Sequence, residues 1–428
     1  MKYTLSAVAL IGLTLNGLSA HADQVLYQYN GWLIKDGKSG SVAEFQAALN
    51  PILEACESDR RLTADGLFGN GTKTAIIEAS ACATLSGHLD EDSAARQGAI
   101  TEALWALVLP DEDVPSVGQR AAALKLTFEN TDYDRMQWNF CQNRPFYAPQ
   151  SGQPVCFSND RASFITWGPS GATAGHGREV QAILNLFLER EDADEALSDA
   201  FGEETENVRR MLTLRHEPNG ALETYLCSVW MDRTQRDAWR AGFKTLGANK
   251  HIQTAYRTIY SSSSFDGGKI NKFYKVWTDE AYDLPVTELD HAWFLDRATH
   301  MSISESKLRT AMEALKEETG DAWPPSAAEI RQYISLNVRP SNQRTDRLGR
   351  DIAYYVTAIG EENLSADESS AWTRRGKRNA IDVGLSDERT MPAFAPAASQ
   401  PHPMPTGTLT ASEQGACPAA VLNPQRPG

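Results

Sequence analysis

Basic residues are scarce in this chain of 428 residues, which has 41 Lys and Arg against 56 Asp and Glu and a formal net charge of −15. A nucleic-acid-binding protein needs a basic surface, so this balance argues against a nucleic-acid partner. Long apolar runs are also missing, because no stretch beyond the N-terminus approaches the roughly 18 apolar residues of a membrane span. We therefore expect no integral membrane segment in the mature chain.

Three catalytic patterns are incomplete. The run Gly168-Pro169-Ser170-Gly171 is one residue short of the nucleophile elbow of serine hydrolases. The surrounding glycines lack the Lys-Ser/Thr that a phosphate-binding loop requires. His216-Glu217 has no second histidine at the spacing of a zinc site. The sequence therefore predicts neither a metal nor a cofactor.

The N-terminus has the pattern of a secretory signal peptide. Met1-Lys2 supplies a positive charge, an apolar run extends from Leu5 to Leu18, and Ala20-His21-Ala22 places small residues two apart. We expect residues 1–22 to be removed after Ala22, which gives a periplasmic or secreted protein. An uncleaved membrane anchor is the alternative, and the shortness of the apolar run disfavours it.

Six cysteines follow the predicted signal peptide. An even number in an oxidising compartment suggests disulfide pairing. Proximity in the sequence favours the pairs Cys56–Cys82 and Cys141–Cys156. Elimination then leaves Cys227–Cys417, which would tie the C-terminal tail to the body.

Residues 23–110 predict a small three-helix N-terminal domain. Apolar residues recur at helical spacing from Val42 to Leu53. A turn containing Asp65-Gly66 follows, and Thr72 is a plausible N-cap for a helix over 75–81.

This segment resembles the peptidoglycan-binding domain, whose core is a helix with Phe/Leu-Gln, then Asp-Gly-x-Phe-Gly-x-x-Thr, then a second helix. The matching residues are Phe45-Gln46, Asp65, Gly66, Phe68, Gly69 and Thr72. The resemblance implies a glycan-binding module. The second helix departs from the family pattern, because it ends in Ser80-Ala81-Cys82.

The acidic, proline-containing residues 111–116 predict a linker before a second domain at 117–385. In that domain Ser302-x-x-Glu305 and Ser326-x-x-Glu329 have the form of capping boxes, and Gly320 is placed to end a helix. Alternating strand patterns are few. We expect a predominantly helical α+β domain with a small sheet near 155–170, followed by an extended and mobile Pro-rich tail at 386–428.

The segment from Glu129 to Thr166 carries candidate acid–base residues. Hydrolysis of a glycosidic bond needs one protonated carboxylic acid and a second carboxylate that activates water or attacks carbon. Glu129 is flanked by Leu126 and Phe128, an apolar setting that would keep the acid protonated. Asp160 lies in a polar run where a carboxylate stays ionised, and the Thr166 hydroxyl could hold a water beside it.

The stretch from Thr166 to Gly177 reads Thr-x-Gly-x-x-Gly-x-Thr-x-Gly-x-Gly. It resembles the active-site loop of family 46 glycoside hydrolases, the chitosanases, whose domain begins with a Glu-Asn pair like Glu129-Asn130. Trp138-x-Phe140 resembles the aromatic pair that follows. The family belongs to the lysozyme-like superfamily, so the resemblance implies a lysozyme-like catalytic domain.

The resemblance also implies residue roles. Glu129 would be the general acid, Asp160 the general base and Thr166 the residue that positions water, with inversion at the anomeric carbon. Asp296 and His300 resemble an Asp and a His of the family's C-terminal helices. The substrate contacts implied are Arg161, Gly168, Thr173, Gly175, His176 and Glu179.

Two departures leave alternatives open. The interval from Glu129 to Asp160 is longer than in the family, through an insertion that the predicted Cys141–Cys156 disulfide would close. The acidic residue that ends the loop is displaced to Glu179, with Arg178 in its place. Glu179 is therefore a rival for the role of base as well as a substrate ligand.

The sequence favours an exported inverting glycoside hydrolase that cleaves β-1,4 bonds of an amino-sugar polymer. The predicted peptidoglycan-binding domain narrowly favours peptidoglycan, whereas the glycine-rich loop and the acidic charge favour cationic chitosan. The alternative is a non-catalytic cell-wall protein that binds peptidoglycan through a degenerate lysozyme-like groove.

Overall fold

A computed structural model describes residues 23–129, 131–139, 146–147, 154–155, 163–175, 178–215, 220–338, 344–399 and 405–414. These residues are mainly helical, which confirms the predicted mainly-α class. The predicted signal peptide lies outside them. No helix in these ranges combines the length and the apolar character needed to cross a bilayer.

Many of the helices begin at a capping side chain, such as Asp232 or Asn249, that accepts backbone N–H groups of the first turn. The α-helices of the described residues are α1 (Ser41–Ala55), α2 (Asn70–Ala81), α3 (Ala83–Ser86), α4 (Glu102–Val108), α5 (Val117–Glu129), α6 (Glu179–Phe187), α7 (Ala193–Phe201), α8 (Thr205–Thr213), α9 (Ala221–Met231), α10 (Arg233–Gly247), α11 (Lys250–Ser261), α12 (Asp266–Trp277), α13 (Glu288–Thr299), α14 (Glu305–Thr319), α15 (Ala327–Asn337), α16 (Arg344–Asp351), α17 (Val356–Ile359) and α18 (Ala366–Arg374).

The strands are short and pair antiparallel. In the described residues they are β1 (Val25–Tyr27), β2 (Ile34–Lys35), β3 (Leu67–Phe68), β4 (Ile100–Thr101), β5 (Met136–Trp138), β6 (Phe146–Tyr147), β7 (Pro154–Val155), β8 (Ser163–Trp167) and β9 (Ala172–Gly175). Strands β5, β8 and β9 form a three-stranded sheet, and the others form the pairs β1–β4, β2–β3 and β6–β7.

Two hydrophobic cores organise these elements. The first core contains buried side chains from three parts of the chain: the N-terminal segment 26–108, helix α5 and residues 270–385, which begin within α12. The second contains the sheet β5–β8–β9 and helices α6 to α11. Helix α5 belongs to the first core, yet its C-terminal end leads directly into the segment before β5. This places the end of α5 at the boundary between the two cores.

The motif residues of the N-terminal segment form a buried hydrogen-bond cluster around Gln46. Its Nε2 donates to Asp65 Oδ1, to the Leu67 carbonyl and to Thr72 Oγ1, each at 3.1 Å. Its Oε1 accepts from the backbone N–H groups of Asp65 and Gly66. The prediction that Thr72 caps a helix is wrong: α2 begins earlier, and the Thr72 hydroxyl donates instead to the Leu67 carbonyl.

The structure confirms the predicted Cys56–Cys82 disulfide, which joins the C-terminal ends of α1 and α2. The other two predicted pairs include Cys141, Cys156 and Cys417, which lie outside the described residues. Cys227 is fully buried on α9 and is disulfide-bonded.

Local capping signals were correct in part. Ser326 and Glu329 form the predicted capping box at the start of α15, and Gly320 ends α14. The predicted box at Ser302 is wrong, because α14 begins at Glu305 and is capped by Ser304. The side chain of Ser304 accepts from the Lys307 N–H, so the cap lies two residues later than expected.

The described parts of the Pro-rich tail run along the body in extended form. The Met391 N–H donates to the Val286 carbonyl, and the Gly407 N–H donates to the Thr213 carbonyl. Glu413 forms a two-armed ion pair with Arg210 on α8. These parts of the tail are therefore bound to the body, and the expectation of a free, mobile segment does not hold for them.

Asp36 is a buried carboxylate where the N-terminal segment packs on the residues after α5. Its Oδ2 accepts the Val42 N–H at 2.8 Å. Burial raises its pKa to about 7, and the neighbouring charges of Glu44 and Asp132 add to the rise. Lys38, two residues on, donates to Asp134 at 2.7 Å.

We expect Gln46→Leu to destabilise the protein by about 2–4 kcal/mol, because it leaves several buried donors and acceptors without partners. Urea unfolding followed by circular dichroism measures this loss. Gln97→Leu is the control, since Gln97 is exposed. Equal stability of the two variants would show that the Gln46 cluster is not needed for the fold.

Asp36→Asn should flatten the dependence of stability on pH. The pKa of Asp36 is higher in the folded state, so the wild-type protein loses stability as pH rises from about 4 to about 7. The upper limit of this loss is on the order of 4 kcal/mol, and the neutral amide avoids it. Thermal unfolding at pH 5 and pH 8 tests this, with exposed Asp92→Asn as the control. A decline equal to that of the wild type would contradict it.

Candidate active site

Glu129 is the last residue of α5, and its side chain is 27% exposed. Glu129 forms an ion pair with Arg350, whose guanidinium Nη1 donates to Glu129 Oε1 at 2.5 Å. The purely apolar setting expected from the sequence is therefore wrong. Phe128 does provide one apolar surface, which the guanidinium of Arg350 covers at 5.0 Å from the ring centre.

Arg350 belongs to a buried network of ion pairs that joins α13 to α16. Asp296 accepts from Arg350 and, at 2.5 Å, from Arg347. Asp351 accepts from Arg347 at 2.7 Å and from Arg297 at 2.5 Å. All five side chains are almost completely buried. The network therefore fixes the guanidinium that contacts Glu129.

Burial and the attraction of opposite charges act against each other in this network. Burial alone would raise the pKa of Asp296, but Arg347 and Arg350 lower it well below its ordinary value. Burial lowers the pKa of Arg297 to about 10, against the attraction of Asp351. His300, which resembles the family's histidine, lies at the edge of the network, where burial and the two arginines lower its pKa to about 4.

Thr166 lies in the middle strand of the small sheet. Ile165 and Trp167 point into the second core, so the alternation of the strand turns Thr166 to the opposite face. Its hydroxyl accepts from Asn139 Nδ2 at 2.8 Å. Thr173 is its partner on β9, so the two half-buried hydroxyl side chains stand side by side on the face of the sheet opposite Ile165 and Trp167.

Glu179 joins the same face. Its Oε2 accepts from the Thr173 hydroxyl at 2.7 Å and from the Thr173 N–H at 3.2 Å. Glu179 opens α6, where a carboxylate is favoured by the helix dipole. The preceding Arg178 has a left-handed backbone, with φ of 58°, which turns the chain from β9 into the helix. The structure thus brings Thr166, Thr173 and Glu179 together.

The glycines of the loop serve a tight turn between β8 and β9. Gly168 has φ of 74°, and a Cβ there would lie 2.6 Å from the ring of Tyr256. The hydroxyl of Tyr256 donates to the Trp167 carbonyl and accepts from the N–H groups of Ser170 and Ala172. Gly168 is therefore required for packing on Tyr256. Gly175, at the end of β9, is buried.

Two contacts hold this turn against the end of α5. Lys125, one helical turn before Glu129, donates to Ser170 Oγ at 2.7 Å. Thr131, two residues after Glu129, donates to the Pro169 carbonyl at 3.4 Å. Glu129 lies between these contacts along the chain. The first core therefore presents Glu129, and the second core presents the threonines and Glu179, at one boundary.

Asp160, Arg161 and His176 lie outside the described residues. Their roles as base and as substrate ligands remain predictions from the resemblance. Within the ranges that the structure describes, no group of three or more His, Cys, Asp and Glu side chains is arranged to hold a metal ion.

The sequence reasoning missed the ion network whose member Arg350 contacts the candidate acid. Arg347, Arg350 and Asp351 lie in a strongly charged segment that reads as a solvated helix. The apolar run that directly follows, residues 352–356, indicates burial of the charged segment. This run is buried, and the charged residues before it are therefore buried beside it. Asn139, which donates to the Thr166 hydroxyl, is the middle residue of the Trp138-x-Phe140 pattern, and nothing in that pattern predicts this contact.

No protein-family profile matches this chain, and neither a curated protein nor a solved structure matches it. The likeness to family 46 therefore rests on the sequence pattern around Glu129 and Thr166.

We expect Arg350→Met to destabilise the protein by about 3–5 kcal/mol, because it removes one partner of the buried Asp296. Denaturant unfolding measures the loss, and Arg374→Met on the exposed face of α18 is the matched control. A loss for Arg350→Met no larger than that of the control would show that the network does not stabilise the fold.

Proposed function

We propose that this chain is an exported inverting glycoside hydrolase that cleaves β-1,4 bonds of an amino-sugar polymer. The observation that carries the proposal is the packing of the end of α5, where Glu129 lies, against the turn between β8 and β9. These two strands bear Thr166 and Thr173, and Thr173 donates to Glu179 at the start of α6. Glycoside hydrolysis needs an acid and a second carboxylate separated by the scissile bond. The boundary between the two cores offers both kinds of group.

Glu129 is the proposed general acid. The Arg350 guanidinium holds the Glu129 carboxyl group in one position in the free protein. In the proposed mechanism, Glu129 carries a proton when the polymer binds and gives this proton to the leaving oxygen. Because the buried network holds Arg350 in place, its guanidinium can stabilise the carboxylate that remains after the proton has been transferred.

The second carboxylate is Asp160 by the family resemblance, with Glu179 as the rival. Glu179 already accepts two hydrogen bonds from Thr173. These bonds suit a residue that is held in place to bind a sugar hydroxyl or amine. Thr166 offers a hydroxyl on the same face, where it can orient the attacking water.

Peptidoglycan is narrowly favoured over chitosan as the polymer. The N-terminal segment supports this choice through its likeness to the peptidoglycan-binding domain. The net charge of −15 supports chitosan, whose amines are cationic. The experiment must therefore include both polymers.

We expect the mature protein to release reducing ends from peptidoglycan and, more slowly, from chitosan. Glu129→Gln should lower kcat by about 100-fold or more, because the amide keeps an acceptor for Arg350 but has no proton to donate. Asp160→Asn and Glu179→Gln, measured side by side, identify the base as the variant with the larger loss of kcat. Proton NMR of the first product reports inversion.

The exposed Glu189→Gln is the control and should retain full activity. Release of reducing ends from chitosan alone would overturn the choice of peptidoglycan. Absence of release from both polymers, with retained sedimentation on peptidoglycan, would overturn hydrolysis and leave a peptidoglycan-binding protein.

A further inference from the structure

Lys125 is a buried lysine whose position the proposed chemistry does not explain. It lies on α5 four residues before Glu129, so both side chains project from one face of the helix. It is 7% exposed. A lysine is rarely buried to this extent unless a carboxylate pairs with it.

The ammonium of Lys125 binds hydroxyl groups. It donates to Ser170 Oγ at 2.7 Å and to Thr299 Oγ1 at 3.3 Å. Among the described residues, no carboxylate lies within ion-pair distance of it. The Thr299 hydroxyl in turn donates to Asp266 Oδ2 at 2.7 Å, so the nearest acid is reached through Thr299.

Several charges surround this ammonium without touching it. Burial lowers the pKa of Lys125, whereas the negative charges of its acidic neighbours oppose that fall. The charged groups that act on it from the surrounding helices are Asp266 on α12, Asp296 on α13, Glu129 on α5 and Arg350 on α16. His300 at the end of α13 also faces Glu129 and Arg350.

The two hydroxyl partners come from different parts of the molecule. Ser170 belongs to the glycine-rich turn of the second core, and Thr299 ends α13 in the first core. Lys125 is therefore a cross-link between the two cores directly beneath Glu129. A methionine would fill the same volume without the desolvation of a charge, so packing alone does not account for a lysine here.

We propose that Lys125 is a positioning residue: it ties the glycine-rich turn to α5 and places a fixed positive charge one helical turn from Glu129. This inference rests on the proposed function for its kinetic consequences. The tie sets where Thr166 and Thr173 stand relative to the acid. The charges of Lys125 and Glu129 also act on each other across this turn of the helix.

Two substitutions separate the tie from the charge. Lys125→Met removes both and keeps the length of the side chain. Ser170→Ala removes the shorter hydrogen bond and keeps the charge. Loss of the tie should lower kcat by about 5-fold or more in both variants, because small displacements of reacting groups are costly.

Only the loss of charge should change the pH profile. Activity falls at high pH when the acid loses its proton, so Lys125→Met should move that limb of kcat/KM to higher pH by about half a unit or more. Ser170→Ala should leave the limb in place. An unchanged limb in a folded Lys125→Met protein would overturn the electrostatic role.

A second measurement does not require activity. The carboxyl carbon of Glu129, labelled with carbon-13 and identified by its absence in Glu129→Gln, can be titrated by NMR. Its midpoint should rise in Lys125→Met and stay constant in Ser170→Ala. If the wild-type protein cuts neither polymer, the proposed function fails, and this titration alone decides the inference.

Folding of the variants is checked by thermal melting. If Lys125→Met does not fold, Lys125→Gln takes its place, because the neutral amide can still donate to Ser170. An equal titration midpoint for Glu129 in the wild type and in the neutral variant would overturn the proposal. A kcat of Ser170→Ala equal to that of the wild type would overturn the tie.

Discussion

The buried ion network around Asp296 and Asp351 is the constraint on which the candidate site depends. Three arginines, Arg297, Arg347 and Arg350, are withdrawn from water together with these two carboxylates. Each charge needs its partners, because an unpaired ion in this position would be strongly destabilising. The network can form only when α13 and α16 are packed correctly. One of its members, Arg350, donates to Glu129 at the end of α5. The state of the candidate acid is thereby coupled to the packing of the first core.

The two hydrophobic cores carry different parts of the candidate site. Glu129 ends a helix that packs in the first core, whereas Thr166 and Thr173 lie on the sheet of the second core and Glu179 begins α6 beside them. A boundary between two packed bodies is a usual place for a ligand cleft. The contacts that cross this boundary, from Lys125 to Ser170 and from Thr131 to Pro169, set the relative position of the two sets of groups.

Local features of the fold could be predicted from the sequence, and distant ones could not. The capping box at Ser326 and the Cys56–Cys82 disulfide were correct, because each depends on residues close in the chain. The link between Arg297 and Asp351 joins residues 54 apart, and no periodicity predicts it. Thr72 shows a second limit. Its type fits a helix cap, but Gln46 competes for the hydroxyl and draws it into a buried cluster.

That cluster also bears on the choice of polymer. The N-terminal segment resembles the peptidoglycan-binding domain through three polar residues, Gln46, Asp65 and Thr72. These side chains form hydrogen bonds with one another. Their presence is explained by the fold of the segment, whatever it binds. In addition, the segment shares the first core with α5 and with the helices around the ion network, so packing joins it to the candidate site. Under the proposed function, the likeness of the segment still favours peptidoglycan, whereas the acidic Glu179 beside Thr173 is the structural argument for chitosan.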